Sequence, residues 1–594
     1  MEATTASPSH TGSRTIADLL PRAAEVFGEH VAVKHKDADG QWRELTFAEV
    51  GEIAREIGLG LLDLGIATGD RVSILCTTRP EWTFASFGIT EAGAVVVPIY
   101  PTNSPEECEW VLSDSEAVAV FCEDAAQVAK VRAVRERLPQ LREIVSIEPV
   151  EGTISLDELR ARGRARDAAE LQARIDGVKA EEAYTIIYTS GTTGPPKGCV
   201  LGHGNYRAII DMVGQREVFQ GADDLVYLYL PLAHSFALLI ELVSVDRGTA
   251  IAYFGGDVKQ IVAELAEVKP TYLPSVPRIF EKIYGLVAAN VDADTLAKAV
   301  EVGGQVEDLR IAGQPVPAEL QAAYDQFDQT LFVNVRSAFG GRLREAVTGA
   351  APIAREILEF FWACGVPVLE GFGMTETATA ATTSTPENHK FGTVGRALPG
   401  VEIKIADDGE ILIKGQNVFQ GYWRNDDASF GAVVDGWLHT GDLGSLDDDG
   451  YLSITGRKKD IIITAGGKNL TPANLENDLK QSRWISQAVM HGDRRPFPSM
   501  LITLDEETIV PWAQEHGIED TSPSALAHDP QVLELIQSEL DKANAKYAQV
   551  EQVKRFFILD HDFSQETGEL TPSLKVKRNV VNELYADRFD ELYA

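Results

Sequence analysis

The chain has 594 residues, 44% hydrophobic, 24% charged and 8% aromatic, the balance of a globular protein with more than one domain, which excludes disordered and collagen-like classes. A formal net charge of -36 gives no overall basic footprint for nucleic acid or an anionic membrane, although a local basic groove for a phosphorylated cofactor can hide beneath that average. The five cysteines, Cys76, Cys108, Cys122, Cys199 and Cys364, contain no Cys-x-x-Cys pair, pointing to a reducing compartment and no zinc site.

Residues 1–14 read as a flexible N-terminal tail that lacks the basic and apolar stretches of an export signal. The most apolar run, 236–245, is interrupted by Glu241 and falls short of the roughly twenty residues that cross a bilayer. A cytoplasmic protein without a transmembrane segment is therefore expected. From Thr46, a candidate N-cap, the positions Phe47, Val50, Ile53, Ile57, Leu61, Leu62 and Leu64 follow helical spacing and lead to a strand at 71–75. A helix over 82–92 followed by a strand over 95–100 repeats the unit, and strands are expected at 226–230 and 251–254. Such alternation predicts a doubly wound α/β body.

An apolar strand at 184–188 then runs into Thr189-Ser190-Gly191-Thr192-Thr193-Gly194-Pro195-Pro196-Lys197-Gly198. Small residues let backbone N–H groups turn toward a polyphosphate, four hydroxyls add donors and Lys197 adds charge. Lys197 precedes Gly198 rather than Ser or Thr, so this nucleotide-triphosphate loop is not a Walker A loop. The stretch 285–349 shows neither strand nor helix period. Gly371-Phe372-Gly373-Met374-Thr375-Glu376 follows an apolar segment. Its glycines admit a flat ligand, Phe372 offers an aromatic face and Glu376 suits a hard Mg²⁺ ion; alone, such a segment is more often a simple turn.

Short strands at 401–405 and 410–413 flank the hairpin signal Asp407-Asp408-Gly409. Asp442, within His439-Thr440-Gly441-Asp442, can accept both hydroxyls of a ribose or merely cap a turn. Gly456-Arg457-Lys458-Lys459-Asp460 is a candidate hinge. Beyond it a small α+β domain is expected, with a helix starting at Thr471-Pro472, strands at 488–490 and 500–504, and a helix over 532–548. The lysines of Lys575-Val576-Lys577-Arg578 are either a solvated tail or phosphate ligands.

In this order, the segments resemble the adenylate-forming superfamily of acyl-CoA synthetases, acyl-adenylating enzymes and luciferases. Gly349-Ala350-Ala351-Pro352 looks like its adenine-side loop, and Leu230-Pro231-Leu232-Ala233-His234-Ser235-Phe236 like its acyl-pocket motif. Length and the Leu-Thr-Pro-x-Leu-Lys ending look most like long-chain fatty acyl-CoA synthetases. The resemblance implies a tail at 1–14, an AMP-binding α/β body over 15–457 and a small mobile lid domain over 458–594 that swings about a hinge near Lys459.

It also implies that Thr189 to Lys197 hold phosphates, with Thr192 and Glu376 at Mg²⁺. Phe372, within Gly371 to Thr375, would stack near adenine, and Asp442 and Arg457 would contact ribose and phosphate. Lys575 would bridge the carboxylate and the α-phosphate, and His234 would border the acyl channel, where a satisfied core histidine is the plainer alternative. The loop Gly466-Gly467-Lys468 would serve the later thiol step. Two departures stand out: Phe372 replaces the usual Tyr, and no Gly precedes Lys575. Lys577 is the alternative lysine, and the Lys-x-x-Arg spacing to Arg578 favours Lys575.

The implied activity is ATP-dependent conversion of a long-chain fatty acid to acyl-CoA through an acyl-adenylate, with fatty acid, ATP, Mg²⁺ and CoA as substrates and cofactors. An acyl-adenylate ligase loading a separate carrier protein, a catalytically inactive fatty-acid or nucleotide sensor and a luciferase-like oxygenase remain open. The 19 residues after Lys575 argue against a fused carrier or reductase domain.

Overall fold

The computed structural model describes residues 11–189, 195–216, 221–466, 468–571 and 575–594. Among these, the fold is built on two large sheets facing one another across helices, a smaller antiparallel sheet, and a separate C-terminal unit. One large sheet runs Gly421–Tyr422, Lys197–Gly202, Ala183–Thr189, Val95–Ile99, Arg71–Leu75, Ala119–Cys122, Glu143–Ser146 and Ile154–Ser155. Its central strands pair in parallel and are apolar and buried, as sheets covered on both faces require. The other runs from Arg396–Ala397 through Thr382–Thr383, Val368–Phe372, Glu345–Thr348, Tyr272–Ser275, Leu225–Leu228 and Ala250–Tyr253 to Val31–Lys36 and Trp42–Thr46.

Helices Phe47–Asp63, Pro80–Glu91 and Ser235–Arg247 fill the space between the sheets and supply the largest hydrophobic core. The first starts as its sequence predicts. Thr46 Oγ1 accepts from the Glu49 N–H at 3.2 Å, and Glu49 Oε2 accepts from the Thr46 N–H at 2.8 Å, a reciprocal box that satisfies two otherwise orphaned donors. The run around Glu241 is an internal helix of the core, and no described helix is long and apolar enough to cross a membrane.

The aperiodic stretch resolves into helices Ala293–Ile311, Ala318–Phe327 and Val333–Ala338 before strand Glu345–Thr348. The first of these buries Leu296, Ala299, Val302, Gly303 and Val306, a face too rich in small residues to announce itself as hydrophobic periodicity. The hairpin at Asp407-Asp408-Gly409 joins Glu402–Ile405 to Glu410–Lys414. Trp437–Leu446 continues that antiparallel sheet and pairs with Leu452–Arg457.

Beyond Arg457, strands Ile485–His491, Ser499–Leu504 and Arg555–Ile558 pack with helices Pro472–Lys480 and Pro530–Asn544 around their own core. At the other end, the expected flexible tail does not reach residue 14. Thr11 and Ser13 are buried, Thr11 Oγ1 donating to Asp246 at 2.8 Å and Arg207 donating to Ser13 Oγ at 2.8 Å. A buried aspartate–arginine pair recruits these hydroxyls, which composition alone does not reveal.

Candidate functional site

A cavity of about 990 Å³ opens where the body meets the C-terminal unit. Its walls come from the C-terminal ends of strands in both large sheets, the favoured ligand position in open α/β folds. Ala183–Thr189 and Lys197–Gly202 form a hairpin with Thr189 opposite Lys197, and Thr189 and Lys197 border the cavity. Ser190, Gly191, Thr192, Thr193 and Gly194 lie outside the described residues. The base of the hairpin is tied down by Trp110, whose indole N–H donates to the Pro196 carbonyl at 3.0 Å.

Strand Val368–Phe372 delivers Gly371, Phe372, Gly373, Met374, Thr375 and Glu376 to the same cavity. Gly373 has no room for a side chain: a Cβ there would lie 2.0 Å from the Thr379 carbonyl oxygen. Glu376 is buried and held by Tyr422, whose hydroxyl donates to Oε1 at 2.7 Å. Lys197 Nζ lies 5.2 Å from the centroid of the same ring, within cation–π range. Tyr422 thus couples the hairpin lysine to the acid. No sequence motif marks it; the signal is the pairing of Gly421–Tyr422 with Lys197–Gly202.

Gly349 and Ala350 border the cavity, whereas Ala351 is exposed and stands outside its lining. Ala350 holds a φ of 66°, a left-handed conformation unusual for a residue with a Cβ and a recurrent mark of ligand-facing loops. Asp442 is not at a turn tip. It lies in strand Trp437–Leu446 opposite Arg457, is buried, and accepts from Arg457 Nε at 2.7 Å. Burial raises the Asp442 carboxyl above its usual range, with Arg457 and Lys575 opposing that rise.

His234 caps helix Ser235–Arg247, its Nδ1 accepting from the Phe236 N–H at 3.2 Å. Burial, helped by the positive charge of Lys575, pushes its pKa down to about 3, so it is neutral at physiological pH. It is both a helix cap and a wall of the cavity.

Lys575 enters from the C-terminal unit. It keeps exposed area because it stands in the open cavity. The surrounding walls still strip hydration from its ammonium, and with Arg457 they push the pKa down to about 8 against the pull of Asp442. The segment is folded on itself, the Thr571 N–H donating to the Lys575 carbonyl at 2.7 Å and the Lys575 N–H to Thr571 Oγ1 at 3.0 Å. Arg578 anchors it by donating to Glu476 at 2.7 Å and to the Met490 carbonyl at 3.0 Å. Lys577 also borders the cavity, but Asp442, Arg457 and His234 all sense Lys575.

Lys458, Lys459 and Asp460 border the cavity at the junction of the two units. The structure does not bring Gly466 or Lys468 to the cavity: Lys468 is ion-paired with Glu551 at 3.0 Å. Gly467 lies outside the described residues.

The architecture is that of a two-part α/β protein whose cavity is completed by a cation from its smaller part. The AMP-binding enzyme family matches residues 20–423, and the AMP-binding enzyme C-terminal domain matches 459–594. The chain belongs to the AMP-binding enzyme family. It is 40% identical to proteins of Mycobacterium tuberculosis and Mycobacterium bovis named long-chain-fatty-acid–CoA ligase FadD15, over 93% of each chain. It is 33% identical to a Xenopus laevis protein named long-chain-fatty-acid–CoA ligase ACSBG2, over 98% of this chain and 84% of that one. Its fold is shared with the anthranilate CoA ligase AuaEII, solved in complex with anthranoyl-AMP, at a TM-score of 0.73 and 21% identity over 96% of this chain and 97% of that one.

Proposed function

We propose that the protein is an ATP-dependent long-chain fatty acid:CoA ligase that forms acyl-CoA through an acyl-adenylate and releases AMP and pyrophosphate. The observation that carries this reading is the position of Lys575, a cation from the smaller unit that borders a cavity walled by the Gly371 to Glu376 segment, Gly349 and Arg457. The names of the relatives support the acyl class and the acceptor.

A carboxylate is a poor electrophile because its carbonyl is electron-rich and it lacks a leaving group. Attack of the fatty acid oxygen on the α-phosphorus of ATP forms the C–O–P linkage and expels pyrophosphate, and the acyl group then has AMP as a leaving group. Such displacements depend on positioning and on neutralising charge. In this reading Lys575 bridges the incoming carboxylate and the α-phosphate, while Lys197 faces the departing phosphates. Asp442, positioned by Arg457, holds the ribose, and Phe372 covers the adenine.

Glu376 is the hard-oxygen donor suited to Mg²⁺, with Thr192 beyond the described residues. No described group of three His, Cys, Asp or Glu side chains could hold a metal by itself, which fits an ion that takes few protein ligands and completes its shell with phosphate oxygens and water. That ion would screen the phosphate charge. In the second step the CoA thiolate attacks the acyl carbon, a thioester forms and the C–O bond to AMP breaks. Gly466 to Lys468 would approach the cavity for that step as the smaller unit swings about Lys459.

Replacing Lys575 by Ala is expected to abolish fatty-acid-dependent exchange of pyrophosphate into ATP while ATP binding persists. Exchange at the wild-type rate would contradict the assignment.

A further inference from the structure

The cavity continues well beyond the groups that would handle the nucleotide. Strand Glu345–Thr348 runs along it and ends one residue before Gly349. Alternate residues of a strand share a face, and Glu345, Val347 and Gly349 all border the cavity. Glu345 stands four positions before Gly349, about 13 Å at ~3.3 Å per residue. Tyr272, in register with Glu345 on the neighbouring parallel strand, lies at the same depth. Among the described residues the lining also includes the apolar Val213, Phe236, Leu239 and Leu398, beside the hydroxyls of Thr382 and Thr383.

Glu345 is half-buried at that wall. Apolar walls suit a hydrocarbon chain, and a polar group facing them needs a partner. Among the described residues nothing hydrogen-bonds to the Glu345 side chain. Its neighbour Arg344 is engaged by Asp224. Burial pushes the Glu345 carboxyl up to about 8, with Arg344 opposing and the Glu387 carboxylate adding to the rise. A carboxyl so raised holds its proton toward neutral pH more readily than a free one, and in the protonated form it can both donate and accept.

We propose that Glu345, which lies ~13 Å along the strand from Gly349, makes this part of the cavity a recognition point for a hydroxyl at the far end of the acyl chain, so that the substrates include ω-hydroxylated long-chain acids. This rests on the ligase reading, which supplies the reacting carboxyl at the other end. A hydroxyl is the group of choice: it pairs with both functions of a neutral carboxyl and brings no charge toward Glu387. A site built to hydrogen-bond a substrate hydroxyl rejects the analogue that lacks it far better than an apolar site rejects an added hydroxyl.

The test is a series of saturated acids from decanoate to stearate, each with and without an ω-hydroxyl, assayed for acyl-CoA formation by the wild type, Glu345→Leu and Glu345→Gln. The wild type is expected to favour the hydroxylated member at the chain length that reaches Glu345, by about tenfold in kcat/KM. Glu345→Gln keeps that preference, and Glu345→Leu loses it while using the plain acids at least as well. A hydroxylated-to-plain ratio at or below one throughout in the wild type, or one unmoved by Glu345→Leu, overturns the inference and leaves the ligase reading intact. Absence of acyl-CoA from every acid overturns the ligase reading instead; calorimetric binding of the same acid pairs to the three proteins then decides the role of Glu345 by the same ratio.

Discussion

On the proposed reading Lys575 carries the chemistry at the residue scale, and its environment sets a pH dependence with a definite sign. Bridging two anions requires the ammonium form, which in the free protein is populated below about 8 because burial and Arg457 disfavour the charge. Adenylation measured as kcat/KM for the acid is therefore expected to fall as pH rises through about 8. In Lys575→Arg, slower but permanently charged, that descending limb should disappear; a limb unchanged in the arginine variant would assign it to another group. The spacing to Arg578 favours Lys575 over Lys577 in the sequence, and in the structure Arg578 is fixed by Glu476 and Met490 while both lysines border the cavity. The grip of Tyr422 on Glu376 was not legible, since the two stand 46 residues apart and only strand pairing brings them together.

Elements with local signals were readable and those made by close packing were not. The box at Thr46 and Glu49 fixes the start of helix Phe47–Asp63 within four residues of sequence. Helix Ala293–Ile311 instead packs on Arg355–Ala363 through small residues, and its neighbouring glycines differ sharply in surroundings. A Cβ on Gly303 would fall 2.5 Å from the Ala363 carbonyl oxygen, whereas Gly304 has nothing within 4 Å. Gly304→Ala is expected to stabilise the protein by about 0.5–1 kcal/mol, as relief of a mid-helix glycine does. Gly303→Ala should destabilise it by roughly 1–3 kcal/mol, as overpacking does. Thermal denaturation of the two variants reads the difference, and equal shifts would contradict the helix pairing.

At the scale of the whole molecule, the ion pairs among the described residues that reach from the body into the smaller unit include Arg278 with Asp505 and Lys282 with Glu507, each at 2.7 Å. Arg278, Lys282 and Glu507 are exposed, so each pair contributes under about 1 kcal/mol. Together with the repulsion that reversal creates, a shift of about 1 kcal/mol, roughly fivefold, is expected. On the proposed two-step cycle these pairs favour the arrangement that places Lys575 in the cavity. Arg278→Glu with Lys282→Glu should slow adenylation several-fold and spare thioester formation from supplied acyl-adenylate, and Asp505→Lys with Glu507→Lys should restore it. Equal losses in both half-reactions, or no restoration, would contradict a positioning role. Alternating helices and strands made the α/β body legible, and the change of pattern beyond the 456–460 segment made the smaller unit so, but the strand order and the burial of Thr11 and Ser13 depend on contacts far apart in sequence.

The most direct measurement of the proposed activity is mass spectrometry of the products formed from ATP, Mg²⁺, CoA and fatty acids ranging from acetate to long-chain members. Accumulation of long-chain acyl-CoA with AMP and pyrophosphate is the expected result. Acyl-adenylate without acyl-CoA would contradict CoA as the acceptor, and neither product would contradict the ligase reading itself.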